Sequence, residues 1–323
     1  MNTQQTAVVF PGQGTQRHGM GVDFFERFNE ARTVFDEASD ALGWNVGAMC
    51  FGDDPRLDLT EFAQPCILTT EIAMFRSLEA HYGFSPDFFG GHSLGEYTAL
   101  TAAGVIPLAD AVKIVHSRGK LMQEACSEKR YGMAAVISDE MNLDDLTGII
   151  RELPVDIANI NSKNQVVLSG ELNGLGQVEE RLTQGKEDTE GLRFVPLNVS
   201  AAFHSRFMKT IKDAFKNLLR SHSKNFNTGR SGKVTSNFSG GFHESGYEPV
   251  QAALVSQSFS PVKWQENMES LAEKASDIVE VGPARPLRSF FSSQGIGCRS
   301  VTSIESAARC FSRKENIRDI SLQ

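Results

Sequence analysis

Short apolar runs that end in glycine-rich loops alternate along the chain with longer stretches in which apolar residues recur every three or four positions. Ala7-Val8-Val9-Phe10 is uniformly apolar and leads straight into Pro11-Gly12-Gln13-Gly14, the pattern of a buried strand ending in a tight loop. Residues 22–43 then carry a helical pattern. A second one runs from Ile67 to Tyr82 and stops before Gly83, where glycine can take the left-handed conformation that ends a helix. Phe88-Phe89-Gly90-Gly91-His92-Ser93-Leu94-Gly95-Glu96-Tyr97 reads as a strand, a sharp glycine turn and a helix, and Asp110 to Cys126 predicts another helix. Ile278-Val279-Glu280-Val281-Gly282-Pro283 repeats the motif of a buried strand running into a loop. Continuously apolar strands separated by helices predict an α/β fold with a parallel sheet as its core.

Between about Gly132 and Pro196 the texture changes. A short strand (Met133 to Ile137), a helix, a strand hairpin near Ile157 to Leu168, a further helix and Phe194-Val195-Pro196-Leu197 predict a small α+β unit. The expected organisation is a large α/β-hydrolase-like domain, 1–130 and 198–323, interrupted by a ferredoxin-like subdomain, 131–197. Gly185 to Gly191 reads as a polar, exposed turn within the insertion, and the last dozen residues, polar and charged, receive no role.

With 323 residues the chain can bury a sizeable core. Its net charge of −8 argues against a general nucleic-acid binder, which needs a cationic surface to displace counterions from phosphates. Five cysteines, an odd number without CxxC or Cys/His ligand spacing, imply neither structural zinc nor disulfides and suit a reducing compartment. No apolar run is long enough for a membrane span, and the N-terminus lacks a secretory pattern. The expectation is a cytoplasmic protein without metal or nicotinamide, since no GxGxxG follows a strand.

Gly91-His92-Ser93-Leu94-Gly95 fits a nucleophile elbow, in which two glycines let a strand turn abruptly into a helix and leave the serine hydroxyl exposed at the helix start. A glycine turn whose serine merely caps the helix has the same sequence. A serine hydroxyl needs a positioned base to act as a nucleophile at neutral pH. Among seven histidines, His204 stands out because it follows a strand-like run and opens an amphipathic helix. A structural or capping histidine would fit that place too. Leu94 N–H, just after the serine at a helix start, and an amide of the Pro11–Gly14 loop are suited to hold an oxyanion.

Taken together, these segments resemble the malonyl-CoA:acyl carrier protein transacylases and related acyltransferases of polyketide synthesis. Phe10-Pro11-Gly12-Gln13-Gly14-Thr15-Gln16 is similar to the family's FPGQGxQ, Gly91 to Tyr97 to its GHSLGEY, and Ser117-Arg118-Gly119-Lys120-Leu121-Met122-Gln123 to its RG-x-LM-Q helix. Ala158-Asn159-Ile160-Asn161 with Gln165 to Gly170, Phe203-His204-Ser205, Gln257 before Pro261-Val262-Lys263-Trp264, and Glu280-Val281-Gly282-Pro283 complete the order. The resemblance implies ping-pong transfer of malonyl from malonyl-CoA to the phosphopantetheine thiol of an acyl carrier protein, with Ser93 as nucleophile and His204 as base and then acid. It also implies an oxyanion hole from the backbone amides of Gln13 and Leu94. The family's imidazole leans on a main-chain carbonyl near the segment matching Gln257, not on a carboxylate. CoA enters as substrate and no cofactor is implied. Met122, Asn161 and Gln257 are carried over as substrate-binding positions.

Arg118 lies on a helix between apolar Ile114 and Met122, so it faces inward and needs a carboxylate or several carbonyls as partners. In the resembled family this arginine pairs with the free carboxylate of malonyl; an internal ion pair is the alternative. Phe203 matches a position where malonyl-specific relatives carry Phe and methylmalonyl-specific ones a smaller residue. Ordinary core packing would also account for it. From Phe207 a helical stripe of Phe207, Met208, Ile211, Phe215, Leu218 and Leu219 predicts a core face. Opposite it, Arg206, Lys209, Lys212, Lys216 and Arg220 form a basic stripe, either a solvated face or a docking face for an acidic carrier.

The chain departs from the family where Gly282-Pro283-Ala284 replaces the frequent Gly-Pro-Gly and where Ala201-Ala202-Phe203-His204 replaces His-Ala-Phe-His. These departures favour a freestanding acyltransferase serving polyketide synthase modules in trans, with fatty-acid synthesis the other pathway. An acyl hydrolase that clears stalled carriers would use the same serine and histidine, although Arg118 would serve no purpose with neutral acyl groups. A silent docking protein would not need Ser93, His204 and Arg118 together.

Overall fold

In the computed structural model, residues 5–127, 130–139, 141–183, 191–199 and 201–311 are described. The polar turn expected from Gly185 and the last dozen residues lie outside them. The first half contains β1 (Thr6–Phe10), α1 (Val22–Arg27), α2 (Asn29–Leu42), α3 (Val46–Phe51), α4 (Thr60–Tyr82), β2 (Phe88–Gly91), α5 (Leu94–Ala102) and α6 (Leu108–Ala125). Then come β3 (Tyr131–Ile137), α7 (Leu143–Ile150), β4 (Val155–Ser162), β5 (Gln165–Glu171), α8 (Leu172–Thr183) and β6 (Arg193–Pro196). The chain closes with α9 (Lys212–His222), α10 (Tyr247–Gln257), α11 (Trp264–Lys274), β7 (Asp277–Val281), α12 (Pro286–Ser293), β8 (Arg299–Val301) and α13 (Ile304–Phe311).

Two sheets organise the molecule. The large unit holds a parallel sheet in the order β2-β1-β7-β8. Its strands are buried on both faces, Ala7 and Val9 against Trp264, Met268 and Ile278, Val8 and Phe10 against the helices on the other side. That double burial explains why β1 reads as an unbroken apolar run; β7 follows the same pattern except at Asp277 and the buried Glu280, whose carboxylate accepts Leu287 N–H and Arg288 N–H. The second sheet is antiparallel, in the order β4-β5-β3-β6, and its β-α-β-β-α-β sequence is the ferredoxin-like arrangement. One face packs on α7 and α8 through Ala134, Val136, Val166 and Leu168. The other carries Met133, Ala135, Ala158 and Val167 toward Phe203. A main-chain link from Ile160 N–H to Val262 O at 2.9 Å joins the two units.

Three expected elements differ. The helix over 22–43 is broken at Phe28, whose extended backbone (φ −119°, ψ 135°) separates α1 from α2 and buries the ring. The helix expected from Ile67 begins seven residues earlier, at Thr60, and runs through Pro65. Proline cannot donate to Glu61 O four residues back, and that carbonyl is bonded instead by His116 Nδ1 at 2.8 Å. The amphipathic helix expected to open at His204 is a 3-10 segment, Arg206–Ile211, followed by α9. No helix of the described residues is long and apolar enough to cross a membrane.

Candidate active site

Register places the first two loops side by side. Phe10 pairs with Gly91 across β1 and β2, so the Pro11–Gly14 loop and the turn after Gly91 leave the same end of the sheet together. Ser93 sits at that turn as the residue before α5, with φ 54° and ψ −102°. A non-glycine residue held there stores about 1–3 kcal/mol of strain, so its surroundings must fix it. The two flanking glycines allow backbone contact. A Cβ on Gly91 would lie 2.0 Å from the Gly95 carbonyl, and one on Gly95 2.1 Å from Phe10 O. Asn237, fully buried, clamps the turn: its Oδ1 accepts Ser93 N–H at 2.6 Å, and its Nδ2 donates to Gly91 O and Asn267 Oδ1, each at 2.8 Å.

His204 also has positive φ, 55°, in the loop before Arg206. Its Nδ1 lies 2.7 Å from Gln257 O and its Nε2 2.7 Å from Ser93 Oγ. A carbonyl oxygen only accepts, so Nδ1 carries the proton and the Nε2 lone pair faces the serine hydroxyl. Burial first, and then the Arg118 cation, push this imidazole down to about 3, against a smaller upward effect of the Gln257 carbonyl. It is neutral at pH 7, as a general base must be. The loop approaches the small sheet through Arg206, whose main-chain N–H donates to Asp156 Oδ2 at 2.7 Å and whose guanidinium also binds Asp156. Arg206 is therefore tied to β4 and not part of a free basic stripe.

Arg118 is on α6, 1% exposed. Its two terminal nitrogens donate to Gln64 Oε1 at 2.9 Å and Gln257 Oε1 at 3.0 Å, and its guanidinium carbon lies 5.1 Å from the centre of the Tyr97 ring. Nε has no partner among the described residues. Both side-chain acceptors are neutral amides, and among the described residues no carboxylate is in contact with this cation; Glu96 acts on it from beyond Gln257. Such a group is costly unless a counter-charge arrives.

The other predicted positions fall around this centre. Leu94 opens α5, where first-turn amides have no helical carbonyl to meet. Gln13 lies in the adjacent loop, its side chain donating to Thr60 Oγ1 at 3.2 Å. Asn161 Oδ1 accepts from His92 Nε2 at 2.8 Å, linking β4 to the turn. Met122 is buried in the cluster that Phe203 packs against, with Ala202 and Met208. Lys209, Lys212 and Lys216 are exposed, on the 3-10 segment and α9. Sequence reasoning missed Gln64, Asn237, Asn267 and His243. Among the described residues no group of three or more His, Cys, Asp or Glu could hold a metal ion.

Residues 7–289 match the model of the acyl transferase domain family. Over 287 residues the chain is 36% identical to the malonyl CoA-acyl carrier protein transacylase of Bacillus subtilis (strain 168), covering 87% of each. It belongs to the malonyl CoA-acyl carrier protein transacylase family. The solved transacylase of Clostridium perfringens has a TM-score of 0.87 to this chain at 33% identity, covering 99% of this chain and 100% of that one. A malonyl-transacylase solved in complex with its type II PKS acyl-carrier protein gives 0.86 at 31% identity, covering 96% of this chain and 99% of that one. In this transacylase fold, the Ser93–His204 pair stands beside β4 of the small unit, which meets its neighbours His92 and Arg206 through Asn161 and Asp156.

Proposed function

We propose that this transacylase moves a malonyl group from malonyl-CoA to the phosphopantetheine thiol of an acyl carrier protein, through an ester on Ser93. His204 Nε2 takes the Ser93 proton as Oγ attacks the thioester carbonyl. The amides of Gln13 and Leu94 hold the tetrahedral oxyanion, an interaction whose loss costs roughly 10² to 10³ in rate. Collapse breaks the C–S bond, and the imidazolium returns its proton to the departing CoA sulfur. The carrier thiol then gives its proton to His204, attacks the ester, and Ser93 Oγ leaves as the alcohol.

The observation that carries this reading is the buried Arg118 cation, joined to His204 through Gln257 and lacking a carboxylate in contact. A malonyl carboxylate supplies that counter-charge in the two-pronged form a guanidinium favours. It also offsets the Arg118 cation, one of the effects that depress His204 together with burial and His92, so the base strengthens when the correct acyl group is bound. An acetyl group offers neither effect. Met122, Asn161 and Gln257 border the acyl site, and the Phe203 ring crowds an α-methyl substituent.

Lys209, Lys212 and Lys216 receive the acidic carrier. The large unit comprises 1–130 and 198–323 and the small one 131–197, with Ser93 and His204 both contributed by the former. A separate carrier chain, and polyketide synthase modules served in trans, suit a cytoplasmic enzyme whose thioester substrates are made there. The test is a two-step assay with malonyl-CoA and a phosphopantetheinylated carrier, following carrier mass and free malonate together. Malonyl appearing on the carrier supports transfer; release as free malonate with an unloaded carrier would make it a hydrolase.

A further inference from the structure

Gln257 holds two parts of the site at once. Its main-chain oxygen accepts from His204 Nδ1 at 2.7 Å, and its side-chain oxygen accepts from Arg118 at 3.0 Å. A glutamine amide can present either its oxygen or its nitrogen to a neighbour, and with the nitrogen turned to Arg118 two donors would face each other. Something must fix the orientation. The Nε2 group donates to Ser93 O at 2.9 Å and to Glu96 Oε2 at 2.8 Å. Glu96 is fully buried. The same Oε2 accepts Asn237 N–H at 3.0 Å, and Oε1 lies 2.8 Å from His243 Nε2. Asn237 in turn clamps Ser93 N–H.

Glu96 Oε2 already accepts from the Asn237 main-chain N–H, which can only donate, so it stands as an acceptor, and a guanidinium only donates. Glu96 on one side and Arg118 on the other therefore force one orientation of the amide between them: nitrogen to Glu96, oxygen to Arg118. We propose that Glu96 is a positioning residue for acyl selectivity, acting through Gln257 to hold the Arg118 guanidinium in the place where it receives the acyl carboxylate. Glu96 makes no hydrogen bond to Ser93 Oγ or Arg118 among the described residues; beside a through-space charge effect on Arg118, its contact with the site runs through the Gln257 amide. The proposal rests on the reading of Arg118 as the carboxylate receptor.

The experiment measures kcat/KM for loading malonyl and acetyl from their CoA esters in wild type, Glu96→Ala, Glu96→Gln, Gln257→Ala and the double variant Glu96→Ala/Gln257→Ala, with Arg118→Ala as reference. Losing the charge-assisted contact should lower the malonyl-over-acetyl ratio about tenfold in Glu96→Ala. Glu96→Gln, whose oxygen can still accept from Gln257, should restore most of it. In the Gln257→Ala background the Glu96→Ala change should leave the ratio where it was. Glu96→Met, of similar volume, gives the same reading if the alanine variant does not fold. An equal fall for both esters, with the ratio intact, would overturn the proposal and leave Glu96 a packing residue. A ratio unmoved in Arg118→Ala would instead overturn the reading of Arg118 beneath it.

Discussion

His204 is held by Gln257 through a 2.7 Å hydrogen bond from Nδ1 to a main-chain oxygen, not to a carboxylate. A carbonyl fixes the tautomer as well as an aspartate would, but brings no full negative charge to stabilise an imidazolium. With the Arg118 cation acting on the same ring, the free site strongly disfavours protonation of His204. In the proposed reaction the compensating charge comes with the malonyl carboxylate, which would make base strength and acyl selectivity two consequences of one arrangement.

The pH dependence follows from that. Burial and Arg118 lower His204 to about 3, so it stays deprotonated throughout the mildly acidic range. kcat/KM for malonyl-CoA, which reports the free enzyme, should therefore show no inflection near the ordinary imidazole value of about 6.5. An unshifted histidine would lose roughly tenfold by about one pH unit below that value. The check is a pH–rate profile on wild type and Arg118→Ala. Removing the cation should move the acid limb upward in pH, and an inflection near 6.5 in wild type would contradict the assignment.

Phe203 packs against the cluster containing Met122 beside His204. Replacing its ring with a smaller side chain, Phe203→Ser, should raise methylmalonyl relative to malonyl loading by about tenfold, the usual worth of one methyl group in a pocket. Competition between the two CoA esters measures the ratio directly.

Lys209, Lys212 and Lys216 lie exposed along one segment that begins five residues after His204. Reversing all three to Glu should weaken transfer to the carrier far more than loading from malonyl-CoA. It should also flatten the salt dependence of the carrier step, because rim charges act mainly on association. Equal effects on both steps would remove the docking role.

Where sequence patterning succeeded and failed has a physical basis. β1 is apolar on both faces because both faces are covered, β7 matches it except at Asp277 and the buried Glu280, and the glycines at 91 and 95 mark backbone contacts no side chain could enter. Ser93, His204 and Arg118 stand in segments whose sequence already carries their chemistry. Asn237 does not: it lies in an irregular polar loop and reaches Ser93 across 144 positions. Gln64 sits within a helix whose start was hidden by Pro65, since the His116 contact that satisfies Glu61 O comes from another helix. The break at Phe28 carries neither glycine nor proline and is made by burying that ring.

Gly95 offers a test of the turn itself. A methyl group there would meet Phe10 O at 2.1 Å, forcing α5 away from β1. Gly95→Ala should destabilise the fold by about 1–3 kcal/mol, as overpacking does, and should depress loading further because Ser93 and Leu94 move with the helix. Urea unfolding alongside the loading assay checks both; an unchanged midpoint would mean that the strand and helix are not locked as described.

The proposed ester intermediate puts the malonyl group on Ser93. Intact-protein mass spectrometry after mixing with malonyl-CoA, without carrier, tests it most directly in wild type, Ser93→Ala and Arg118→Ala. Wild type should gain one malonyl group, mapped to the peptide containing Ser93, Ser93→Ala should gain none, and Arg118→Ala should lose the preference for malonyl over acetyl. An unmodified wild-type enzyme that still malonylates a carrier, or a malonyl group on another residue, would contradict it.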